Sequence, residues 1–297
     1  MTTLGSDVYC CVESGDIYKQ TNGTGNFVGL LQTFRRWTAM TALGNDVYCC
    51  VFNGDIYKQT GGVGNFVALG QTSRQWLGMT TLGNDVYCCV HGGDVYKQTG
   101  GVGNFVALGQ ASRLWYGMST LGNNIYCCVE SGDIYKQTNG TGNFVPLGQT
   151  SRGWREMTTL GSDVYCCVSG GDIYKQTNGT GNFVALGQAS RGWHGMTTFG
   201  NDVYCSVYGG EIYKQTGGVG NFVSLGQGNR LWLGMTTLGN DVYCCVFNGD
   251  IYKQTGGVGN FVALGQPARQ WYGMTTLGND VYCCVFNGDI YKAYYLA

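Results

Sequence analysis

The chain has 297 residues, of which 43% are apolar, 12% charged and 52 are glycine, and its net charge is −1. The apolar share is ample for a packed core and excludes a disordered chain, and the near-cancelling charges exclude the basic surface with which a nucleic-acid binder displaces counterions. No stretch approaches the about 18 uninterrupted apolar residues of a membrane span, and the opening Met-Thr-Thr-Leu-Gly-Ser lacks the regions of a signal peptide.

In chain order, one unit recurs. Asp-Val-Tyr-Cys-Cys or a close variant begins at Asp7, Asp46, Asp85, Asn124, Asp163, Asp202, Asp241 and Asp280, always 39 residues apart. Met1, Met40, Met79, Met118, Met157, Met196, Met235 and Met274 keep the same step, so eight units start and seven are complete. In the unit from Trp37, an apolar and Thr-rich run reaches Leu43 and stops at Gly44-Asn45. Val47 to Phe52 is a run of β-branched, aromatic and Cys residues, and Asn53-Gly54 after it is a strong hairpin signal, because both residues tolerate positive φ. Ile56 to Thr60 returns, Gly61-Gly62-Val63-Gly64 turns again, and Phe66 to Leu69 forms a fourth strand. A polar link, Gly70 to Gln75, then leads to Trp76. No 3.6-residue periodicity survives this density of Gly and β-formers, so the unit is expected to be an antiparallel four-stranded meander without helix.

A two-residue turn at Asn53-Gly54 would pair Phe52 with Asp55, Cys50 with Tyr57 and Tyr48 with Gln59. One sheet face would then carry Tyr48, Cys50, Phe52 and Tyr57, and the other Val47, Cys49, Val51 and Ile56. Both are apolar, and a sheet apolar on both faces needs a neighbour on each side, which radial stacking supplies. The fold expected is therefore an all-β β-propeller, a single domain over residues 1–297. Placing the strand from Trp37 to Leu43 innermost gives eight blades, the last lacking its outer strand. The alternative, seven blades with a 24-residue overhang, would leave apolar strand faces uncovered.

The ordered set Trp-x-x-Met, Val47-Tyr48-Cys49-Cys50-Val51, Asp55-Ile56-Tyr57-Lys58, Asn65-Phe66 and Gly70 to Trp76 resembles the tachylectin-2 and tectonin group of β-propeller lectins over essentially the whole chain. Phe66 stands where that group has Trp, and Arg74-Gln75 where it has Gly-Gly. The resemblance implies binding of N-acetylated or modified sugars at sites repeated around the ring.

Fifteen cysteines lie in seven adjacent pairs plus Cys205, whose neighbour is Ser206. Adjacent strand residues point to opposite faces, so no pair forms a C-x-x-C zinc site, and neither metal nor cofactor is expected. The cysteines read as small buried hydrophobes where relatives carry Ala or Gly, which implies a reducing, cytoplasmic location, non-standard secretion being left open. Sequons at Asn22, Asn139 and Asn178 read as polar turns. Lys58 is expected to pair with an Asp. Every regular carboxylate recurs in an equivalent setting and His91 and His194 occupy different columns, so no catalytic pair is suggested and an enzyme is not expected.

The candidate sugar-binding residues are three columns. Trp37, Trp76, Trp115, Trp154, Trp193, Trp232 and Trp271 offer rings for stacking. Arg35, Arg74, Arg113, Arg152, Arg191, Arg230 and Arg269 offer donor forks, and Asn26, Asn65, Asn104, Asn143, Asn182, Asn221 and Asn260 offer a donor and an acceptor each. The columns starting at Glu13 and at Thr38 vary between units and read as surface. Two functions follow: a multivalent lectin for glycans or glycoconjugates, or a non-catalytic interaction scaffold, natural or designed, without a small ligand. Neither involves nucleic acid or membrane insertion.

Overall fold

In the computed structural model the residues described are 35–266, together with the strand backbones 2–4, 7–11, 13–15, 17–20, 28–29, 268–277, 280–285 and 290–294. The chain folds as an eight-bladed β-propeller. Blade three shows the plan: inner strand Arg74–Leu82, second strand Asp85–Gly93, third strand Val95–Gln98 and outer strand Val106–Ala107, each antiparallel to the one before. The inner strands of blades one to eight are Thr2–Leu4, Arg35–Leu43, Arg74–Leu82, Arg113–Leu121, Arg152–Leu160, Arg191–Phe199, Arg230–Leu238 and Arg269–Leu277. Blade eight has inner, second and third strands only among the described residues. The first inner strand lies against those of both blade two and blade eight, which closes the ring. There is no α-helix among the described residues, and short 3₁₀ turns such as Thr60–Gly62 join third to outer strands.

The blades are sewn to each other by backbone as well as by side chains. Arg74 and Gln75, at the start of the inner strand of blade three, pair with Gly54 and Phe52 of blade two before the strand bulges and turns to its own second strand. This changes the hairpin register from the expected one. Cys50 pairs with Ile56, Cys49 with Tyr57, Tyr48 with Lys58 and Val47 with Gln59. Phe52 and Gly54 are committed to the next blade, so the chain reverses over three residues, with Val51 N–H donating to the Asp55 carbonyl (3.0 Å) and Asn53 at φ 58°. Tyr57 and Ile56 therefore exchange faces, and Lys58 lies with Tyr48, not with the Val-Cys-Val face.

Both faces remain apolar, and each core is shared by two blades. Tyr48, Cys50 and Ile56 of blade two pack with Trp76, Val86, Cys88, Val90 and Phe105 of blade three. Tyr126, Cys128 and Ile134 meet Trp154, Val164, Cys166, Val168, Tyr174 and Phe183 in the same way two blades on. Burial of this kind stabilises by about 25 cal/mol per Å² of apolar surface, and part of each core is supplied by a neighbour.

Candidate functional site

The tryptophan column is core. Trp76, Trp115, Trp154, Trp232 and Trp271 are fully buried, and Trp37 and Trp193 nearly so. The indole N–H of Trp76 donates to the Gly54 carbonyl of the preceding blade (3.0 Å), and its ring stands edge-on against Tyr96 (centroids 4.9 Å apart). The same bond recurs at Trp115, Trp154, Trp193 and Trp271. No indole face is left for a sugar, so the stacking role expected of this column is corrected: an aromatic ring at a blade seam is worth more buried between sheets than in solvent.

The arginine column lies over the tyrosine that each tryptophan touches. Arg35, Arg74, Arg113, Arg152, Arg191 and Arg230 stack on Tyr57, Tyr96, Tyr135, Tyr174, Tyr213 and Tyr252 with the guanidinium carbon 4.7–5.0 Å from the ring centroid. Arg74, Arg113, Arg152, Arg191 and Arg230 enter no ion pair among the described residues. Arg269 also belongs to the column, at the start of its inner strand. The asparagines Asn65, Asn104, Asn143, Asn182, Asn221 and Asn260 are exposed, and Asn26 lies outside the described residues. Asn143 and Asn260 accept from Gln110 (3.5 Å) and Gln227 (3.4 Å) of the preceding blade. Trp and Arg are thus brought together on one tyrosine, while the described contacts of the Asn column are with other partners.

Lysine and aspartate form a seam clamp. Lys58 Nζ meets Asp46 Oδ2 at 2.7 Å, and both Lys58 and Tyr48 donate to the Gly101 carbonyl of the next blade (2.9 Å each). Burial pulls the Lys58 pKa down, but the hydrogen bond it donates to Asp46 and the neighbouring Tyr48 hydroxyl outweigh it, and the result is above the ordinary 10.5. Gly101 has φ +66°, and a Cβ there would stand 2.9 Å from Leu43, so the second glycine of that turn answers both to its left-handed backbone and to the neighbouring blade. In blade four Asn124 replaces the Asp, and burial alone then holds the Lys136 pKa below its ordinary value. Beside one such clamp, Asp163, Lys175, Asn178, Asn201 and the Gly217–Gly218 backbone border a depression of about 350 Å³ between blades five and six.

The second cysteine of each pair is more than a hydrophobe, and sequence reasoning missed its role. The inner-strand bulge leaves Gly78 unpaired with its own second strand, and its N–H donates instead to Cys89 Sγ (3.3 Å). Cys89 in turn donates to the Tyr116 carbonyl of the next blade (3.4 Å). Cys128 repeats this towards Arg155 (3.0 Å) and Cys167 towards His194 (3.4 Å). The signal was Ser206: its hydroxyl accepts from Gly195 N–H (3.0 Å) and donates to the Leu233 carbonyl (3.1 Å), the same bridge in oxygen.

The columns that vary between units meet on one face of the disc, where second strands end and the following inner strands begin. His91 Nδ1 lies 3.2 Å from Gln75 Oε1, and His91 Nε2 lies 3.6 Å from Glu130 of the next blade. Glu130 is paired with Arg155 of the blade beyond (2.6 Å), and Arg155 stacks on Tyr116 (4.7 Å). Arg36 covers Phe52 at 4.2 Å, and Tyr208 is 51% exposed beside His194. Burial, and then the charge of Arg155, lowers the His194 pKa below the ordinary 6.5. One member departs from the surface reading: Leu233 is buried against Cys245, Ile251 and Trp271. Among the described residues no three His, Cys, Asp or Glu are grouped to hold a metal ion, and no helix is long and apolar enough to cross a membrane.

No protein-family model matches the chain, and no curated protein matches it in sequence. Solved structures do. The computationally designed Ika8 protein is similar with a TM-score of 0.82 at 17% identity, over 98% of this chain and 94% of that one. BamB from Moraxella catarrhalis is similar with a TM-score of 0.74 at 14% identity (99% and 93% covered), and the C-terminal WD40 domain of Sif2 with 0.74 at 10% (98% and 93%). The class these likenesses define is the β-propeller, and at such identities they establish the fold alone.

Proposed function

We propose that the protein is a non-catalytic interaction disc that docks a polypeptide partner on the face bearing Phe52, His91, Glu130, Tyr208 and their neighbours. The observation that carries this reading is a division of labour. The nearly constant Trp, Asp, Lys and Cys columns are spent on holding blades together, whereas the columns that change from unit to unit converge on that face and bond laterally across blades three to five. A surface whose chemistry differs at each blade suits one extended partner better than a set of identical small ligands. The fold likeness to a WD40 domain supports the same reading.

The test flattens the face. Ser169 shows that serine is accommodated in the column, so Phe52→Ser, His91→Ser, Glu130→Ser and Tyr208→Ser are combined and compared with a rim variant, Val67→Ser with Val106→Ser. Partners recovered by the parent and the rim variant should be lost from the flattened face. The same set recovered by all three proteins refutes the assignment.

A second reading, a multivalent lectin, is supported by the order of tachylectin-like motifs and by the polar depression at Asp163, Lys175 and Asn178, which is large enough for one sugar residue. A glycan array at high protein density tests it, with Asn178→Ala as the control. Retention of an N-acetylated sugar by the parent and not by the variant supports it, and no retained glycan removes it.

A further inference from the structure

Among the described residues the seam clamp is built around a carboxylate in every blade but one. Lys58, Lys97, Lys175, Lys214 and Lys253 each hold an aspartate Oδ2 at 2.6–2.7 Å. The other oxygen of that aspartate, Oδ1, accepts a backbone N–H from the turn after the third strand (2.8–3.0 Å), given in turn by Gly61, Gly100, Asn178, Gly217 and Gly256. In blade four the residue is Asn124. Its Oδ1 takes the same turn bond, from Asn139 N–H at 3.2 Å, which fixes the orientation of the amide and leaves Nδ2 in the place of the sibling Oδ2. Lys136 still donates to the Gly179 carbonyl of the next blade (2.7 Å) and lies 5.3 Å from the Tyr126 ring centroid, but it enters no ion pair among the described residues. Two donors, Asn124 Nδ2 and Lys136 Nζ, thus share a slot that in the sibling blades contains one donor and one acceptor, and this clamp carries one uncompensated positive charge.

We propose that the clamp between blades four and five is a binding site for a carboxylate group supplied by a ligand. The two carboxylate oxygens accept from Asn124 Nδ2 and Lys136 Nζ, so that the ligand provides there what Asp46, Asp85, Asp163, Asp202 and Asp241 provide from within the chain in the other blades. Hydrogen bonds from an ammonium to a carboxylate are about twice as strong as those between neutral groups, and one ammonium matches one negative charge, so a monoanion fits better than a dianion. The slot is within reach of solvent. One seam further on, Asp163, Lys175 and Asn178 border the depression of about 350 Å³, and Asn124, Lys136 and Asn139 are their counterparts 39 residues earlier, Asn139 exposed and the other two half-buried. Burial acts on the Lys136 ammonium without the offsetting carboxylate of its siblings and holds its pKa low, so the arrival of a negative charge is favoured there more than at a clamp that is already paired. The site lies where the second strands begin, on the face of the disc opposite the proposed docking face, and does not depend on that reading.

The full-length protein, labelled with ¹³C and ¹⁵N, is titrated at neutral pH and low starting salt with sodium acetate and, separately, with sodium chloride, and followed by NMR. With acetate the Asn124 side-chain NH₂ and the Lys136 side-chain signals should move along a saturating curve while those of Lys97 and Lys175 stay in place, and chloride should give only a weak, linear drift. Asn124→Asp, which restores the sibling clamp, should abolish the saturating response at Lys136. Asp163→Asn, which copies the blade-four clamp into blade five, should create a second response at Lys175. Each variant gives one blade a clamp that another blade already folds with, and the parent titration decides the matter even where a variant does not fold. No saturating shift in the parent, a chloride response as strong as the acetate one, equal shifts at Lys97 and Lys175, a response that survives Asn124→Asp, or a folded Asp163→Asn protein with no second response would each overturn the proposal.

Discussion

At the scale of single residues, most of the chemistry is local and repeated, so the exceptions are informative. Ser206 sits in a column otherwise occupied by cysteine and satisfies a Gly195 N–H and a Leu233 carbonyl in a dry seam. Ser206→Ala should therefore cost about 1–3 kcal/mol, the penalty of unpaired buried backbone groups, whereas Cys128→Ser should cost much less than Cys128→Ala; urea denaturation checks both. Asn124 is the second exception. Lys58, Lys97, Lys175 and Lys214 have pKa values raised by their Asp partners and hydrogen-bonded tyrosines against the pull of burial, so each favours folding below 10.5 and loses that contribution as pH rises through the higher folded value. Lys136, lowered by burial, has the opposite sign: its charged form penalises the fold, and the penalty lifts as pH rises towards 10.5. Asn124→Asp should add about 0.5–1 kcal/mol at neutral pH and lose the gain in strong alkali. Thermal melts of parent and variant across that range measure it, and a gain that persists in alkali would contradict the ion-pair account.

At the scale of the element, the meander, its turns and its two apolar faces were legible, because alternation and Asn-Gly or Gly-Gly signals are local properties of the chain. The register of the second hairpin was not. It is decided by Arg74 and Gln75 of the following blade, which take Gly54 and Phe52 out of the turn, a non-local competition that a reading of one unit does not contain. The sugar-site expectation failed at Trp76 for the same reason, since its indole partner is the Gly54 carbonyl freed by that change. The loop after the outer strand was also only partly legible. Asp55 organises it by accepting from Ile56, Gly70 and Gln71 N–H groups (2.6–2.9 Å). In blade six Glu211 takes this position and reaches Ser224, whose hydroxyl then accepts from Gly226 N–H (3.1 Å). Glu and Ser thus replace Asp and Ala as a unit. A double-mutant cycle on Glu211→Asp and Ser224→Ala should show a coupling of about 1 kcal/mol, the double variant being more stable than the sum of the singles; additivity would mean that the two positions do not cooperate.

At the scale of the whole molecule, the blade is not a folding unit, because none of the described cores is contained in one blade. Each inter-blade core combines residues of two neighbouring blades, and the last of those described is covered by Trp271 from blade eight, which packs on Leu233, Cys245 and Ile251. The first inner strand meets the eighth. Removing residues 269–297 should therefore uncover the flank of blade seven and, at the point of closure, that of blade one, leaving two apolar sheet faces in water. Such faces are expected to pair with another copy or to collapse, and the truncated chain should elute as a dimer or larger species with a broadened, lowered melt. The full chain should unfold in one transition, with Trp154→Ala lowering its midpoint as a whole instead of splitting it, since that ring is shared property of blades four and five. Size-exclusion chromatography with scattering and differential scanning calorimetry read the two outcomes. A truncated monomer with an unchanged melt would show that the sheets tolerate solvent on one side, and the wedge argument that links the repeat to the ring would not stand.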